Sequence, residues 1–282
     1  MAPSRKLTVW IASLIILVNG FFPALWILFT ALKSESELAR VPITWLPANP
    51  TLENFRAAFT EQPLWRFTLN SVAVGAGSTV LCVFASACAA YALVRLKMKG
   101  RNIIMGALLA VSMFPLIALM VPLFQILRDV GLLNSWLGLI LPYAVISLPV
   151  CTMVLVSFFQ DIPADLENAA MIDGCTRIGA LFRIVVPLSA PGVFTAAILS
   201  FVNAWDEFLL ALTINTRQTM RTLPVGITLY QSEYADRWPV IMAALVIAVV
   251  PISILIAVFQ DKVVGGLTQG GLKGERRVAN GE

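Results

Sequence analysis

Long runs of uncharged, apolar residues are the feature that most restricts how this chain can fold. Six runs are each long enough to cross the roughly 30 Å hydrocarbon core of a bilayer, which takes about 20 residues in a helix. They cover about residues 7–32, 68–94, 102–127, 136–159, 188–214 and 238–260. Because lipid offers the backbone no hydrogen-bond partners, each run is predicted to be a helix. The sequence therefore predicts an all-α, polytopic membrane protein, a six-transmembrane-helix bundle formed as a single domain over residues 1–282.

The residue composition agrees with lipid as the main solvent and argues against an enzyme. Only 13% of the residues are charged, whereas about 25% of the residues in a soluble domain carry a charge. The chain has no histidine, which removes the commonest general base and metal ligand. We expect no catalytic residues and no metal site, and the 4 cysteines are predicted to be packing residues. No glycine-rich phosphate loop with its lysine occurs, so the chain is not expected to bind ATP itself.

The distribution of lysine and arginine predicts the orientation of the chain in a cell (inner or plasma) membrane. Short cytoplasmic loops of membrane proteins carry an excess of these residues. The N-terminus, the loop 95–101, the loop 161–187 and the C-terminal tail hold twelve of the 20 basic residues. Both termini and the loop 161–187 are therefore predicted to be cytoplasmic. The net charge of +4 reflects this bias and does not indicate a nucleic-acid partner.

The stretch ENAAMIDG lies in the predicted cytoplasmic loop 161–187, where a simple soluble linker would suffice. Asp161 is expected to cap a helix with acidic residues in its first turns, which suits the helix dipole. Gly174 is expected to end that helix. Thr176 is expected to cap a second helix, which Pro187 breaks before the fifth run. The loop is thus predicted to be a helix, a glycine turn and a second helix.

The first helix of this loop is predicted to present a narrow face to a partner. Leu166, Ala169, Ala170 and Asp173 recur at the spacing of one helical face. Two alanines side by side form a flat ridge that the groove of a partner protein can accept. A helix lying on lipid would instead carry many lysines and arginines on its polar face, and this helix carries none. The pattern favours a protein partner.

Paired prolines interrupt the third and fourth apolar runs. Pro115 and Pro122 lie in the third run, and Pro142 and Pro149 lie in the fourth. Each proline removes an internal hydrogen bond and bends a helix. The prolines indicate either shaped packing or a bundle that bends around a pathway, and the sequence favours neither interpretation.

The cytoplasmic loop resembles the signature loop of the membrane subunits of bacterial ABC importers. That signature is Glu-Ala-Ala, three residues, Gly, nine residues and Ile-x-Leu-Pro. Asn168 replaces the glutamate and Val186 replaces the leucine of this pattern. The neighbouring Glu167 is expected to compensate for the missing glutamate in an ion pair with an arginine of a partner. The matching positions in this chain are Asn168, Ala169, Ala170, Gly174, Ile184, Val186 and Pro187.

Further segments are similar to the carbohydrate-importer branch of this family. They are NAWDEFLLAL (203–212), TLPVGITLYQ (222–231) and QGGLKG near the C-terminus. The resemblance covers nearly the whole chain and is strongest to the second permease subunit of maltose-type and glycerol-phosphate-type systems. It implies a permease subunit of an ATP-driven sugar importer.

The resemblance also implies a set of partners. Such a permease forms the channel with a second permease subunit, and two cytoplasmic ABC ATPase subunits dock on the coupling helices of the pair. ATP and Mg²⁺ bind in the ATPases, so this chain is expected to hold no cofactor. An extracytoplasmic sugar-binding protein delivers the cargo, here expected to be a di- or oligosaccharide. The residues expected to couple this chain to the ATPases are Glu167, Asn168, Ala169, Ala170, Asp173 and Gly174.

Polar residues in the fifth run are the candidates for contact with the cargo. A charge at this depth costs roughly 2.5–3.5 kcal/mol on insertion scales, so such residues are usually functional or paired. They either line the sugar pathway, with an aromatic platform beside them, or hydrogen-bond to neighbouring helices. A further alternative is a proton-coupled secondary transporter with Asp206 and Glu207 as its relay, although the internal repeats usual in that class are not evident. The predicted pathway residues are Asn203, Trp205, Asp206, Glu207 and Phe208.

Overall fold

The computed structural model describes residues 3–96, 98–231 and 237–279. Helices are the regular secondary structure of these residues, which contain no strand, so the predicted all-α class is confirmed. The α-helices, in chain order, are α1 (Pro3–Ala31), α2 (Glu35–Leu38), α3 (Glu53–Glu61), α4 (Leu64–Arg95), α5 (Arg101–Ser112), α6 (Leu116–Asp129), α7 (Leu137–Gln160), α8 (Ala164–Ile172), α9 (Arg177–Ala180), α10 (Val186–Leu188), α11 (Ala190–Asp206), α12 (Leu209–Ile214), α13 (Leu223–Ile227) and α14 (Trp238–Ala279).

Four helical stretches of the described residues are long and apolar enough to cross a membrane by themselves. They are Val9–Ala31 within α1, the whole of α4 and α7, and Trp238–Phe259 within α14. Two further pairs qualify together but are sharply bent, α5 with α6 by 92° and Arg177–Leu188 with α11 by 87°. Counting each bent pair as one span gives up to 6, which agrees with the apolar runs. Neither 102–127 nor 188–214 is one continuous helix, however, which corrects the expectation for those two runs.

The bend between α5 and α6 has a covalent cause at Pro115. The proline ring removes a backbone N–H donor, and the residue before a proline is disfavoured in helical conformation. α5 accordingly ends at Ser112, and Pro115, with φ −68° and ψ 122°, directly precedes α6. Pro122, Pro142 and Pro149 instead lie inside α6 or α7 without ending the helix. Among the four prolines, Pro115 alone breaks a span, and the other three are accommodated within continuous helices.

The fifth run is interrupted at two places, and neither is the predicted break at Pro187. Pro187 lies in the first turn of α10, where a proline needs no N–H donor. The chain turns at Ser189, directly before α11, after a π-helical segment over Leu181–Val185. A second break follows α11, because Glu207 takes an extended conformation with ψ 123°. The predicted helix 188–214 therefore consists mainly of α11 and α12.

The chain divides into two compact units, one of residues 1–68 with 223–251 and one of residues 69–222 with 252–282. The second unit contains the loop 161–187 and the broken fifth run. Its apolar core is formed by α4, α7, α11 and the π-helical segment. Central buried members of this core are Leu155, Phe159, Leu181, Val185 and Ala196.

Close packing in the second unit depends on glycines that face neighbouring side chains. A Cβ atom on Gly77 of α4 would lie 2.7 Å from Cδ1 of Ile140 on α7. A Cβ atom on Gly192 of α11 would lie 2.4 Å from the ring of Phe158, also on α7. Small residues at these positions let helix backbones approach closely, as is usual for helix packing in membranes.

In the first unit, a buried lysine and a buried glutamate organise the loop after α1. Lys33 is almost fully buried. Its Nζ donates to the carbonyl of Thr44 and lies 5.1 Å from the ring centroid of Trp26. Glu37 is also buried and accepts from the Ala48 N–H at 2.8 Å and the Thr44 hydroxyl at 2.9 Å. The bond from Ala48 is the largest cause of a lowered pKa for the Glu37 carboxyl, which burial opposes. Thr44 contacts both charged groups, Lys33 through its carbonyl and Glu37 through its hydroxyl.

Substitution of Gly138 tests the packing of the second unit. A Cβ atom on Gly138, in the first turn of α7, would lie 2.3 Å from the carbonyl oxygen of Leu132, a backbone atom that cannot move aside. We expect Gly138→Ala to destabilise the protein by about 1–3 kcal/mol through overpacking. Apparent melting temperatures of the protein in detergent would measure this effect.

The matched control is Gly106→Ala in α5, where nothing lies within 4 Å of the added carbon. We expect this change to be neutral or to stabilise the protein by about 0.5–1 kcal/mol, because alanine loses less backbone entropy than glycine in a helix. Equal melting temperatures for the two variants would contradict the packing described for Gly138.

Candidate functional site

The loop 161–187 forms a helical hairpin that begins with α8. α8 starts after Pro163, which provides no side-chain cap, and has Asp165 and Glu167 in its first turn. These acidic residues suit the positive end of the helix dipole. Asp161, predicted to cap α8, instead follows the last residue of α7, and its N–H donates to the carbonyl of Phe158 at 3.2 Å. The prediction of an Asp161 cap was therefore wrong, because α7 continues to within one residue of it.

Gly174 ends α8 as the sequence predicts. Its φ of +88° lies in the left-handed region that only glycine adopts readily. The Gly174 N–H donates to the carbonyl of Met171 at 3.1 Å, and the Cys175 N–H donates to the carbonyl of Ala170 at 2.9 Å. This pair of bonds is a Schellman motif, which satisfies carbonyls that the helix end would leave free.

Thr176 then caps the second helix of the hairpin, also as predicted. Its side-chain hydroxyl accepts a hydrogen bond from the Gly179 N–H at 3.1 Å. A Cβ atom on Gly179 would lie 2.7 Å from the sulfur of Cys175, so the turn is tight. The second helix is not uniform, since α9 passes into the π-helical segment Leu181–Val185 and then α10. The hairpin therefore returns to the core through a π-helical segment, a feature often found at functional sites.

The hairpin exposes apolar side chains on the face that points away from the core. Ile172 is 86% exposed and Ile178 on α9 is 71% exposed. Of the predicted face, Leu166, Ala169 and Asp173 are exposed and Ala170 is half-buried. Exposed apolar groups of this kind are typical of sites where another protein docks. The exposed residues of α8 are Ala164, Asp165, Leu166, Asn168, Ala169 and Ile172.

Glu167 is the member of the predicted coupling set that the structure directs inward. Its carboxylate is buried and forms an ion pair with Nε of Arg95, the last residue of α4. Arg95 also donates from Nη2 to the carbonyl of Ile162 at 2.8 Å, and Tyr91 is a further neighbour of the carboxylate. Glu167 therefore does not compensate for Asn168 towards a partner, which corrects that expectation. Asn168 itself is exposed.

Three of the five predicted pathway residues form contacts within the second unit, and one of these three, Asn203, is also exposed. The amide nitrogen of Asn203 donates to the hydroxyl of Ser147 at 3.0 Å, which joins α11 to α7. Trp205 is buried and stacks on Phe201, with ring centroids 5.7 Å apart. These contacts agree with the alternative in which polar residues of the fifth run hold helices together.

Glu207 also forms contacts within the second unit, at the break between α11 and α12. Its carboxylate accepts from the Tyr143 hydroxyl at 2.5 Å and from the N–H groups of Leu210 at 2.9 Å and Ala211 at 3.1 Å. The last two donors belong to the first turn of α12, so Glu207 caps that helix. The participation of Tyr143 was not predicted, since no sequence pattern links it to a glutamate on a different helix.

Asp206 and Phe208 remain exposed beside the same break. Asp206 has no hydrogen-bond or ion-pair partner within the described residues, and Phe208 is 38% exposed. The two adjacent acidic residues thus have different environments. The Asp206 carboxylate has no partner within the described residues, whereas the Glu207 carboxylate accepts hydrogen bonds from three donors. The geometry does not connect them as a proton relay.

Comparison with known proteins identifies the class of the chain. Residues 82–268 match the family described as binding-protein-dependent transport system inner membrane component. The chain belongs to this family and is a permease subunit of an ABC importer, a multi-pass membrane protein. The prediction of an ABC importer permease, a transport subunit and not an enzyme, is therefore confirmed.

Particular relatives cover nearly the whole chain. The sulfoquinovosyl glycerol transport system permease protein of Agrobacterium fabrum is 64% identical over 265 residues, 94% of this chain and 93% of that protein. The trehalose transport system permease protein of Mycobacterium tuberculosis is 39% identical over 275 residues, 96% of this chain and 99% of that protein. These relatives give the proton-coupled alternative no support.

A solved structure shares the fold. The structure of a bacterial ABC transporter involved in import of the acidic polysaccharide alginate matches with a TM-score of 0.80 and 19% identity. The match covers 93% of this chain and 98% of that chain. The bundle with its broken spans is therefore the ABC importer permease fold.

Removal of the Glu207 carboxylate tests its role in the break. We expect Glu207→Ala to destabilise the protein by about 2 kcal/mol or more, because three donors lose an acceptor in a partly buried place. The exposed neighbour provides the control, and Asp206→Ala should change stability by no more than about 0.5 kcal/mol. Apparent melting temperatures in detergent would measure both, and similar losses for the two variants would contradict the assignment.

Proposed function

We propose that this chain forms half of the translocation channel of an ATP-driven sugar importer. A second permease subunit supplies the other half, and two ATPase subunits bind Mg²⁺ and ATP and grip the α8 hairpin. The exposed apolar Ile172, the Schellman turn at Gly174 and the match to the family signature support this assignment. The exposed coupling residues are Asn168, Ala169, Asp173 and Gly174, with Ala170 half-buried beneath them.

In this mechanism the ATPases are the two-state element and the permease follows them. Closure of the ATPases on ATP displaces the hairpin, and the permease changes from inward-open to outward-open. The hairpin is joined to the core through the buried Leu181 and Val185, so its displacement reaches the helices that pack there. An extracytoplasmic binding protein delivers the cargo to the outer side. The excess of basic residues in loops on one side supports cytoplasmic termini.

We propose that the cargo is a sulfo sugar joined to glycerol. One observation carries this assignment, the 64% identity to the sulfoquinovosyl glycerol permease, against 39% and 36% for permeases named for trehalose and for trehalose and maltose. The second candidate is the di- or oligosaccharide predicted from the sequence, which the latter two relatives support.

The break between α11 and α12 is the proposed place of contact with the cargo. The free carboxylate of Asp206 accepts hydrogen bonds from sugar or glycerol hydroxyls and repels an anionic group. The sulfonate therefore faces away from Asp206. Phe208 supplies an apolar surface beside it, while Asn203, Trp205 and Glu207 keep the break in place.

The cargo assignment is tested by reconstitution with the two ATPases, the second permease and the binding protein. We expect sulfoquinovosyl glycerol to stimulate ATP hydrolysis, whereas trehalose and maltose leave it at the basal rate. Stimulation by the neutral disaccharides alone would favour the second candidate. Uptake should continue when the proton gradient is collapsed and ATP is present, because ATP hydrolysis supplies the energy.

The grip of the ATPases is tested at Gly174. We expect Gly174→Val to abolish uptake while the affinity of the binding protein for its cargo is unchanged, because valine strains the left-handed turn by roughly 1–2 kcal/mol. Gly131 provides a matched control, since it has a φ of +73° and nothing within 4 Å of an added carbon. Gly131→Val introduces the same strain outside the hairpin and should leave uptake intact. Normal uptake by the Gly174 variant would count against the proposed grip.

A further inference from the structure

The ion pair between Arg95 and Glu167 joins two helices, and the two residues are 72 positions apart in the chain. Arg95 ends α4 and Glu167 lies in the first turn of α8. Their side chains are 13% and 4% exposed, which makes this the one buried ion pair among the described residues. The guanidinium also donates to the carbonyl of Ile162, in the turn that leads into α8. The Arg95 side chain thus bonds to both α8 and the turn before it.

A buried ion pair is a weak source of stability but a strong source of geometric definition. Removing two charges from water costs about as much as their attraction returns, whereas leaving one charge unpaired is costly. The planar guanidinium with donors in fixed directions can bind a carboxylate and a carbonyl together, which a lysine ammonium does with less directional definition. The position of α8 relative to the end of α4 is therefore tightly defined.

We propose that Arg95 and Glu167 are positioning residues that make α8 and the end of α4 move as one body. The proposal rests on the proposed function, in which ATPases displace α8. Through its chain connections alone, α8 acts on α7 and on α9 and the π-helical segment that follows it. The ion pair adds a separate route into α4, a helix that is distant in sequence from the hairpin.

The first test separates coupling from assembly. In the reconstituted complex with cargo-loaded binding protein, Glu167→Gln and Arg95→Met should still co-purify with the ATPases and hydrolyse ATP. Uptake per ATP hydrolysed should fall roughly tenfold, within the usual range for coupling between sites. Arg95→Lys should recover part of this ratio, because it restores the charge without the second directed bond. A purely structural pair would lower the amount of complex and leave the ratio unchanged.

The control is Asp129→Asn, which makes the same acid-to-amide change in the exposed ion pair of Arg128 and Asp129. This variant should keep the uptake per ATP of the unmodified protein. The double variant Arg95→Met with Glu167→Gln should be no worse than either single variant, because both remove one interaction. Additive losses, or an unchanged ratio in Glu167→Gln, would overturn the proposal.

A second measurement does not use the variants of Arg95 and Glu167. Spin labels at the exposed Leu96 and Ala164, in a background without other cysteines, report the distance between the end of α4 and the start of α8. We expect the same distance in nucleotide-free and ATP-trapped complexes. A distance that changes between these states would show that the two helices move separately and would refute the proposal.

The two proposals fail in different ways. If the unmodified chain does not bind ATPase subunits at all, the proposed function fails. If it binds them and transports, but Glu167→Gln transports as much per ATP, only the role of the ion pair fails.

Discussion

Lipid as solvent is the constraint on which the rest of this structure depends. A helix in lipid satisfies its own backbone, so every interruption of a span needs a local replacement for the lost hydrogen bonds. Glu207 provides such a replacement by accepting hydrogen bonds from two N–H groups of α12, and the Tyr143 hydroxyl donates to the same carboxylate. At Pro115 the ring itself removes a donor, and the span bends by 92°. The breaks are therefore defined parts of the fold.

Polar residues of the second unit differ in whether they are bonded within the chain, and Asn203 is both bonded and exposed. Glu167, Asn203 and Glu207 are all bonded within the chain, although each belonged to a predicted functional set. Asn168 and Asp206, directly beside two of them, are exposed. In both places one of two adjacent polar residues is bonded within the chain and its neighbour is exposed.

Sequence comparison and structure contribute different information about function. The family match over residues 82–268 assigns the chain to importer permeases, and the solved alginate importer supports its fold alone. Neither identifies the cargo, since relatives with identities of 34–39% are named for several different sugars. The level of identity to a single relative is therefore more informative about the cargo than the shared fold.

The sequence by itself determined the membrane class, the number of apolar runs, the glycine turn at Gly174 and the Thr176 cap, because these depend on local composition and short-range bonds. It also located the polar cluster of the fifth run. Only the tertiary structure decided which way each polar side chain faces, because the partner of Glu167 is 72 residues away and that of Glu207 is 64 residues away. Helical periodicity places residues on a face, but whether that face meets an arginine, a tyrosine or solvent depends on how distant helices pack.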